Sequence, residues 1–196
     1  EIRELLKLLD QPDILSFAGG IPDPKLFPAD RIQAAYDEVL ADPQLSQQAL
    51  QYSVSEGYLP LREWIVERMA IHGVACTPDN IMLTAGSQQA LDLLGKLFLS
   101  RGDTVMVARP TYLGALQAFT AYEPDYLDLP DGALTGGVDA EALMAGRAQR
   151  PLGYFVPDYA NPTGESLSPA EREALLDLAG QLDMTLIEDA AYRELR

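Results

Sequence analysis

The chain has little cysteine, little positive charge and no long apolar run. Cys76 is the single cysteine among 196 residues, so no disulfide can close within the chain. A reducing, cytoplasmic setting is the expectation that follows. Beside Ala75, Cys76 reads as an ordinary packing residue. Lys and Arg total 14 against 30 Asp and Glu, a formal net charge of −16. Such a surface repels phosphate backbones, so nucleic acid is not expected as a partner. An acidic substrate would need a local cationic pocket. No stretch approaches the roughly 18 apolar residues of a spanning helix, so no membrane partner is expected. No basic segment followed by an apolar one marks a secretory signal. Glu1 rather than Met stands first, so a start upstream of this sequence is expected. No Gly-Lys-Ser/Thr loop and no Gly-x-Gly-x-x-Gly turn follows a strand-like run, which counts against Walker-type and dinucleotide sites. No metal site is expected.

What is present is a folding rhythm. Apolar residues make up 47% and charged residues 22%, ordinary for a globular chain. Residues 1–9 place Ile2, Leu5, Leu6 and Leu9 on one helical stripe. Residues 16–28 (SFAGGIPDPKLFP) hold two glycines and three prolines, which excludes a regular helix or a central strand. Asp30 is expected to cap a helix over about 31–41, and residues 50–58 read as loop. Pro60 suits the first turn of a helix over 60–72. Strands are then predicted at 81–85, 104–108, 125–129, 153–157 and 184–188. Helices are predicted between them at 89–99, 113–122, 140–148 and 169–182. This alternation predicts an α/β fold with a mainly parallel sheet covered on both faces. Ligands of such a sheet bind beyond the carboxyl ends of its strands.

Those ends carry the chemistry. Gly86-Ser87-Gln88-Gln89 follows the first predicted strand. Gly86 permits a tight turn, and Ser87 can cap the next helix or join its free N–H groups in holding a phosphate. Tyr112 follows the second strand and can pack in the core or stack on a flat heterocycle. Residues 157–164 (PDYANPTG) follow a later strand and hold a turn, from which Asn161 can point its amide into a cleft. Asp189 ends the last strand, where a carboxylate needs a partner. It can cap the next segment, or hold a protonated pyridine nitrogen so that the ring acts as an electron sink. Tyr192 stands three residues on with a hydroxyl to donate. Together these place a phosphate cup, a stacking ring, an amide and a carboxylate at one sheet edge.

In order, the segments IRELLKL, ILSFAGGIPDPKLFP, LQYSVSEGYLPLR, TAGSQQALDLLGKLFL, PTYLGALQAF, NPTG and EDAAYREL resemble class I/II aminotransferases. Within these, the likeness is to the 2-aminoadipate and kynurenine aminotransferase-like branch, and it runs from residue 2 to 195. The resemblance implies a pyridoxal-phosphate (PLP) transferase of fold type I. It implies an N-terminal helix, substrate loop and connecting helix over 1–48, and part of the PLP-binding large domain over 49–196. Ser87 and Gln88 look like phosphate-cradle residues, and Tyr112 like the ring that stacks on the pyridine. Asn161 and Tyr192 look like donors to the PLP 3-oxygen, with Asn161 also near the substrate carboxylate. Asp189 looks like the partner of the ring nitrogen. Tyr52 looks like a tyrosine that reaches a neighbour's phosphate in a homodimer. Gly20 looks like a glycine beside the substrate, where a missing side chain allows close approach. Arg3 looks like an arginine that meets an acidic substrate side chain, for which its planar fork is suited.

The expected activity is transfer of an amino group from an L-amino acid to a 2-oxo acid. The donor expected is 2-aminoadipate, glutamate, or an aromatic or branched amino acid. One departure stands out. The lysines are Lys7, Lys25 and Lys96, and none lies in the Ser-x-Ser-Lys-like context that the family uses to bind PLP covalently. Amine exchange needs such a lysine. The 196 residues alone are therefore expected to be inactive, with the lysine in a longer parent protein. Two alternatives stay open: a lyase or decarboxylase on the same fold, and a PLP-responsive effector domain of a transcriptional regulator.

Overall fold

Four short strands form the centre: β1 (Thr104–Val107), β2 (Asp125–Asp128), β3 (Leu152–Phe155) and β4 (Thr185–Glu188). They pair in parallel in the order β2-β1-β3-β4. The computed structural model describes residue 20, residues 22–148 and residues 150–195. The predicted helix over 1–9 lies outside them.

Alternation along the strands sorts the core into two faces. Val105, Val107, Leu152 and Tyr154 point to one side, with Leu91, Ala115, Ala118 and Phe119. Met106 and Phe155 point to the other, with Leu127, Leu175, Leu178 and Met184. Helices α4 (Ser87–Phe98) and α5 (Leu113–Thr120) supply the first set, and α8 (Pro169–Gln181) much of the second. α8 starts as its sequence dictates: Ser168 accepts from Glu171 N while Glu171 reaches back to Ser168 N. The expected parallel sheet with helices on both faces is what forms.

Before these come α1 (Ala29–Ala41), α2 (Pro43–Ala49) and α3 (Leu59–Ile71). Between β2 and β3 lie the one-turn helices α6 (Ala133–Gly136) and α7 (Ala140–Leu143). The chain divides between Tyr58 and Leu59 into two compact units.

Several local expectations need correction. The strand expected over 81–85 joins no ladder among the described residues, because a strand exists only through a paired neighbour. The helix expected over 140–148 ends at Leu143, where Met144 leaves helical geometry ahead of Gly146. Asp30 is not a cap: α1 begins at Ala29 behind Pro28, and Asp30 sits in its first turn. Asp42, not singled out beforehand, caps α2 by accepting from Gln44 N and Leu45 N.

Candidate active site

The chain goes from β1 outward to β2, then crosses back to β3 and on to β4. Strand order therefore reverses between β1 and β3, which opens a crevice at their carboxyl ends. A cleft of about 110 Å³ lies there, lined by Ser87, Tyr112, Val156, Asn161, Asp189, Ala191 and Tyr192. Five of the residues singled out from the sequence thus meet in one place. Larger hollows elsewhere in the chain hold none of these five.

Each wall has a local cause. At the start of α4, Gly86 adopts a φ of 84°, a left-handed turn that suits glycine. The turn is tightened by Thr84 Oγ1 donating to Gly86 O and by Ala85 N donating to Gln89 Oε1. Gly86, not Ser87, is the N-cap, and Ser87 is the first helical residue. A glycine cap offers no side-chain acceptor. The first N–H groups of α4 therefore stay available to an anion beside the Ser87 hydroxyl. Gln88 spends its side chain elsewhere, donating from Nε2 to Gly114 O over 3.0 Å. It braces α5 against α4 and is not among the residues that line the cleft.

Tyr112 precedes α5, and its ring packs over Gly114, where a side chain would leave it no room. A Cβ there would stand 2.4 Å from Tyr112 Cζ. Asn161 sits at the tip of a loop that closes on itself. Ala160 N donates to Glu165 O, Tyr159 N to Ser166 Oγ and Leu167 N to Pro157 O. Within the same loop Asp158 is buried and paired with Arg172 at 2.8 Å and Arg193 at 3.4 Å. The Arg172 guanidinium, with Arg193, holds the Asp158 carboxyl below the usual carboxylate range.

Asp189 is locked by β3 twice. Its N donates to Phe155 O at 2.9 Å, and its Oδ2 accepts from Tyr154 Oη at 2.8 Å. Tyr154 is fully buried, and burial first, then Asp189, pushes its phenol far above the ordinary value. It stays a donor throughout any working pH range. Tyr154 and Asp158 were missed by sequence reasoning, since both read as parts of an apolar strand and its turn. Every residue of β3 is buried, so no polar alternation along the strand marked Tyr154 out.

Of the other expected residues, Gly20 and Tyr52 belong to the first compact unit, with Tyr52 exposed on a cleft shared with Val39, Leu45 and Tyr58. Arg3 lies outside the described residues. Lys96 lies in the last turn of α4 and Lys25 in a 3-10 turn, Pro24–Leu26, and neither lines the site cleft. No cation lines the cleft among the described residues. The lining fits PLP: free helix N–H groups and a hydroxyl for the phosphate, an aromatic for the ring, an amide and a phenol for an oxygen, and an anchored carboxyl for a ring N–H.

Residues 19–195 match the family Aminotransferase class I and II. A 2-aminoadipate transaminase of Thermus thermophilus is 41% identical over 194 residues, 99% of this chain and 47% of that protein. LysN, an alpha-aminoadipate aminotransferase of Thermus thermophilus, was solved in complex with N-(5'-phosphopyridoxyl)-L-leucine. It has a TM-score of 0.80 at 42% identity, covering 98% of this chain and 46% of its own. An uncharacterized HTH-type transcriptional regulator of Escherichia coli K12, YdcR, is 32% identical over 99% of this chain and 41% of its own length. The chain spans about half the length of the curated relatives it matches. The fold is the fold type I expected above, over its N-terminal half. On the match over residues 19–195, the chain belongs to the class I and II aminotransferases.

Proposed function

We propose that this chain is the cofactor-holding half of a PLP-dependent aminotransferase. The observation that carries the reading is the meeting of Ser87, Tyr112, Asn161, Asp189 and Tyr192 around one cleft at the strand-order reversal. Ser87 and the first N–H groups of α4 would hold the phosphate, with Gln88 contributing only main chain. Tyr112 would cover one ring face. Asn161 and Tyr192 would donate to the 3-oxygen, and Asp189 would keep the proton on the ring nitrogen. PLP, when bound, supplies an electron sink for the charge released as the substrate Cα–H bond breaks. Asn161 would also orient the substrate carboxylate, and the closed loop beneath it keeps that amide in place.

The substrates proposed are an L-amino acid and a 2-oxo acid. A 2-aminoadipate, glutamate, aromatic or branched donor is supported by the likeness to an aminoadipate transaminase and to a relative solved with a leucine adduct. With no cation on the described cleft walls, Arg3 remains the candidate for an acidic side chain. We also propose a homodimer, in which Tyr52 reaches a second copy's phosphate and Gly20 lies beside the substrate. A cytoplasmic setting accords with the free thiol of Cys76. The 196 residues alone are proposed to be inactive, since neither described lysine lines the cleft.

The test is intact mass of the complete protein after PLP and borohydride, followed by amine transfer to 2-oxoglutarate from a panel of donors. One covalent PLP and turnover support the reading. No PLP uptake sinks it. The likeness to a regulator favours a second reading, a PLP-responsive effector module. PLP uptake without turnover, together with a DNA-binding segment in the complete protein, would favour that one.

A further inference from the structure

We propose that Tyr154 is the positioning residue for Asp189, holding one carboxylate oxygen so that the other is presented to the ring nitrogen of PLP. This rests on the function proposed above.

Tyr154 does not line the cleft; it stands directly behind it. Its ring is fixed edge-on against Phe119, with centroids 5.9 Å apart and planes at 73°. Tyr112, a cleft residue, packs against the same buried cluster. A phenylalanine would fill the same core volume. The hydroxyl therefore has its use in its hydrogen bond, and that bond goes to Asp189 Oδ2 at 2.8 Å. Main-chain pairing of Asp189 N with Phe155 O sets where the residue starts. It leaves the side-chain torsions free, and a rigid donor on Oδ2 removes that freedom. With Oδ2 held by the phenol, Oδ1 is the oxygen turned free to meet the ring nitrogen.

The test uses the complete protein and four forms: wild type, Tyr154→Phe, Asp189→Ala and the double variant. The readouts are PLP affinity and the pH dependence of the bound-cofactor absorption band. Tyr154→Phe should weaken PLP about tenfold, the size of one hydrogen bond to a charged group, and move the band's pH midpoint. In the Asp189→Ala background the same change should do nothing further, because the coupling partner is gone. Equal loss in both backgrounds would mean a packing role only and overturn the proposal. So would an unchanged affinity and band in Tyr154→Phe. Failure of the wild type to take up PLP would instead overturn the function itself. Should Tyr154→Phe not fold, 3-fluorotyrosine at 154 keeps the ring and hydroxyl but makes the phenol more acidic. A shifted midpoint then supports the proposal, and an unshifted one overturns it.

Discussion

Arg193 reaches back from the segment after β4 to the buried carboxylate of Asp158, its Nε 3.4 Å from Oδ2. Arg172 on α8 meets the other oxygen at 2.8 Å. One buried anion thereby ties together two loops. Asn161 lies three residues after Asp158 on the first loop. Asp189 and Tyr192 lie just before Arg193 on the second. Arg193 also pairs with Glu188 at the exposed end of β4.

Asp158→Ala should destabilise the fold by roughly 2–4 kcal/mol. Removing one partner of a buried pair costs about 3–5 kcal/mol, and the two arginines left behind here retain some access to water. The denaturant midpoint of the complete protein measures this. A change below about 0.5 kcal/mol, typical of surface substitutions, would mean the brace is idle.

The same carboxylate predicts an acid limb. Its pKa is lowered in the folded state, so its stabilisation is complete above the ordinary carboxylate value near about 4 and is lost as pH falls through the lowered one. Unfolding free energy should decline in that acidic window, and less steeply in Asp158→Ala than in wild type. Parallel declines in the two proteins would assign the acid sensitivity to other groups.

Gly114→Ala should displace the stacking ring. The added Cβ would lie 2.4, 2.5 and 2.6 Å from Tyr112 Cζ, Oη and Cε1, and a rigid ring cannot bend away. Overpacking of this kind costs about 1–3 kcal/mol, so PLP affinity should fall roughly tenfold. Gly180→Ala is the control: nothing lies within 4 Å of its Cβ, and within helix α8 alanine should add about 0.5–1 kcal/mol of stability. Titration of PLP into both variants decides; equal affinity would show that Tyr112 does not need its present seat.

Ser87→Ala should weaken PLP more than it weakens pyridoxal, which lacks the phosphate. The loss expected is about five- to tenfold for PLP, one hydroxyl bond to an anion, and close to none for pyridoxal. Comparative titration reads it. Equal losses for both ligands would move Ser87 away from the phosphate.

The alternation of apolar strands and amphipathic helices was legible without coordinates, and so were five of the cleft residues. Each is a chemically distinctive type placed just after a strand-like run, so topology alone brings them to one edge. Less legible were the ends of elements. Asp30 and Ser87 have the chemistry of caps, yet Pro28 and the positive-φ Gly86 take the N-cap positions and decide where the helix turns begin. Residues 81–85 have the composition of a strand, but pairing is a property of two segments, and no single segment contains it.

Local pattern thus dictated the layered α/β architecture, its parallel sheet and the identity of the donors at its edge. These depend on the spacing of apolar residues and on residue type, and both can be read along the chain. Which partner each donor has came from packing in three dimensions. That Tyr154 holds Asp189 and Arg193 reaches Asp158 follows from β3 and β4 lying side by side, that Arg172 meets Asp158 follows from α8 packing on the sheet, and that Gln88 donates to Gly114 follows from α4 packing on α5. A hydrogen bond between residues 35 apart in sequence needs a distance that no local pattern encodes.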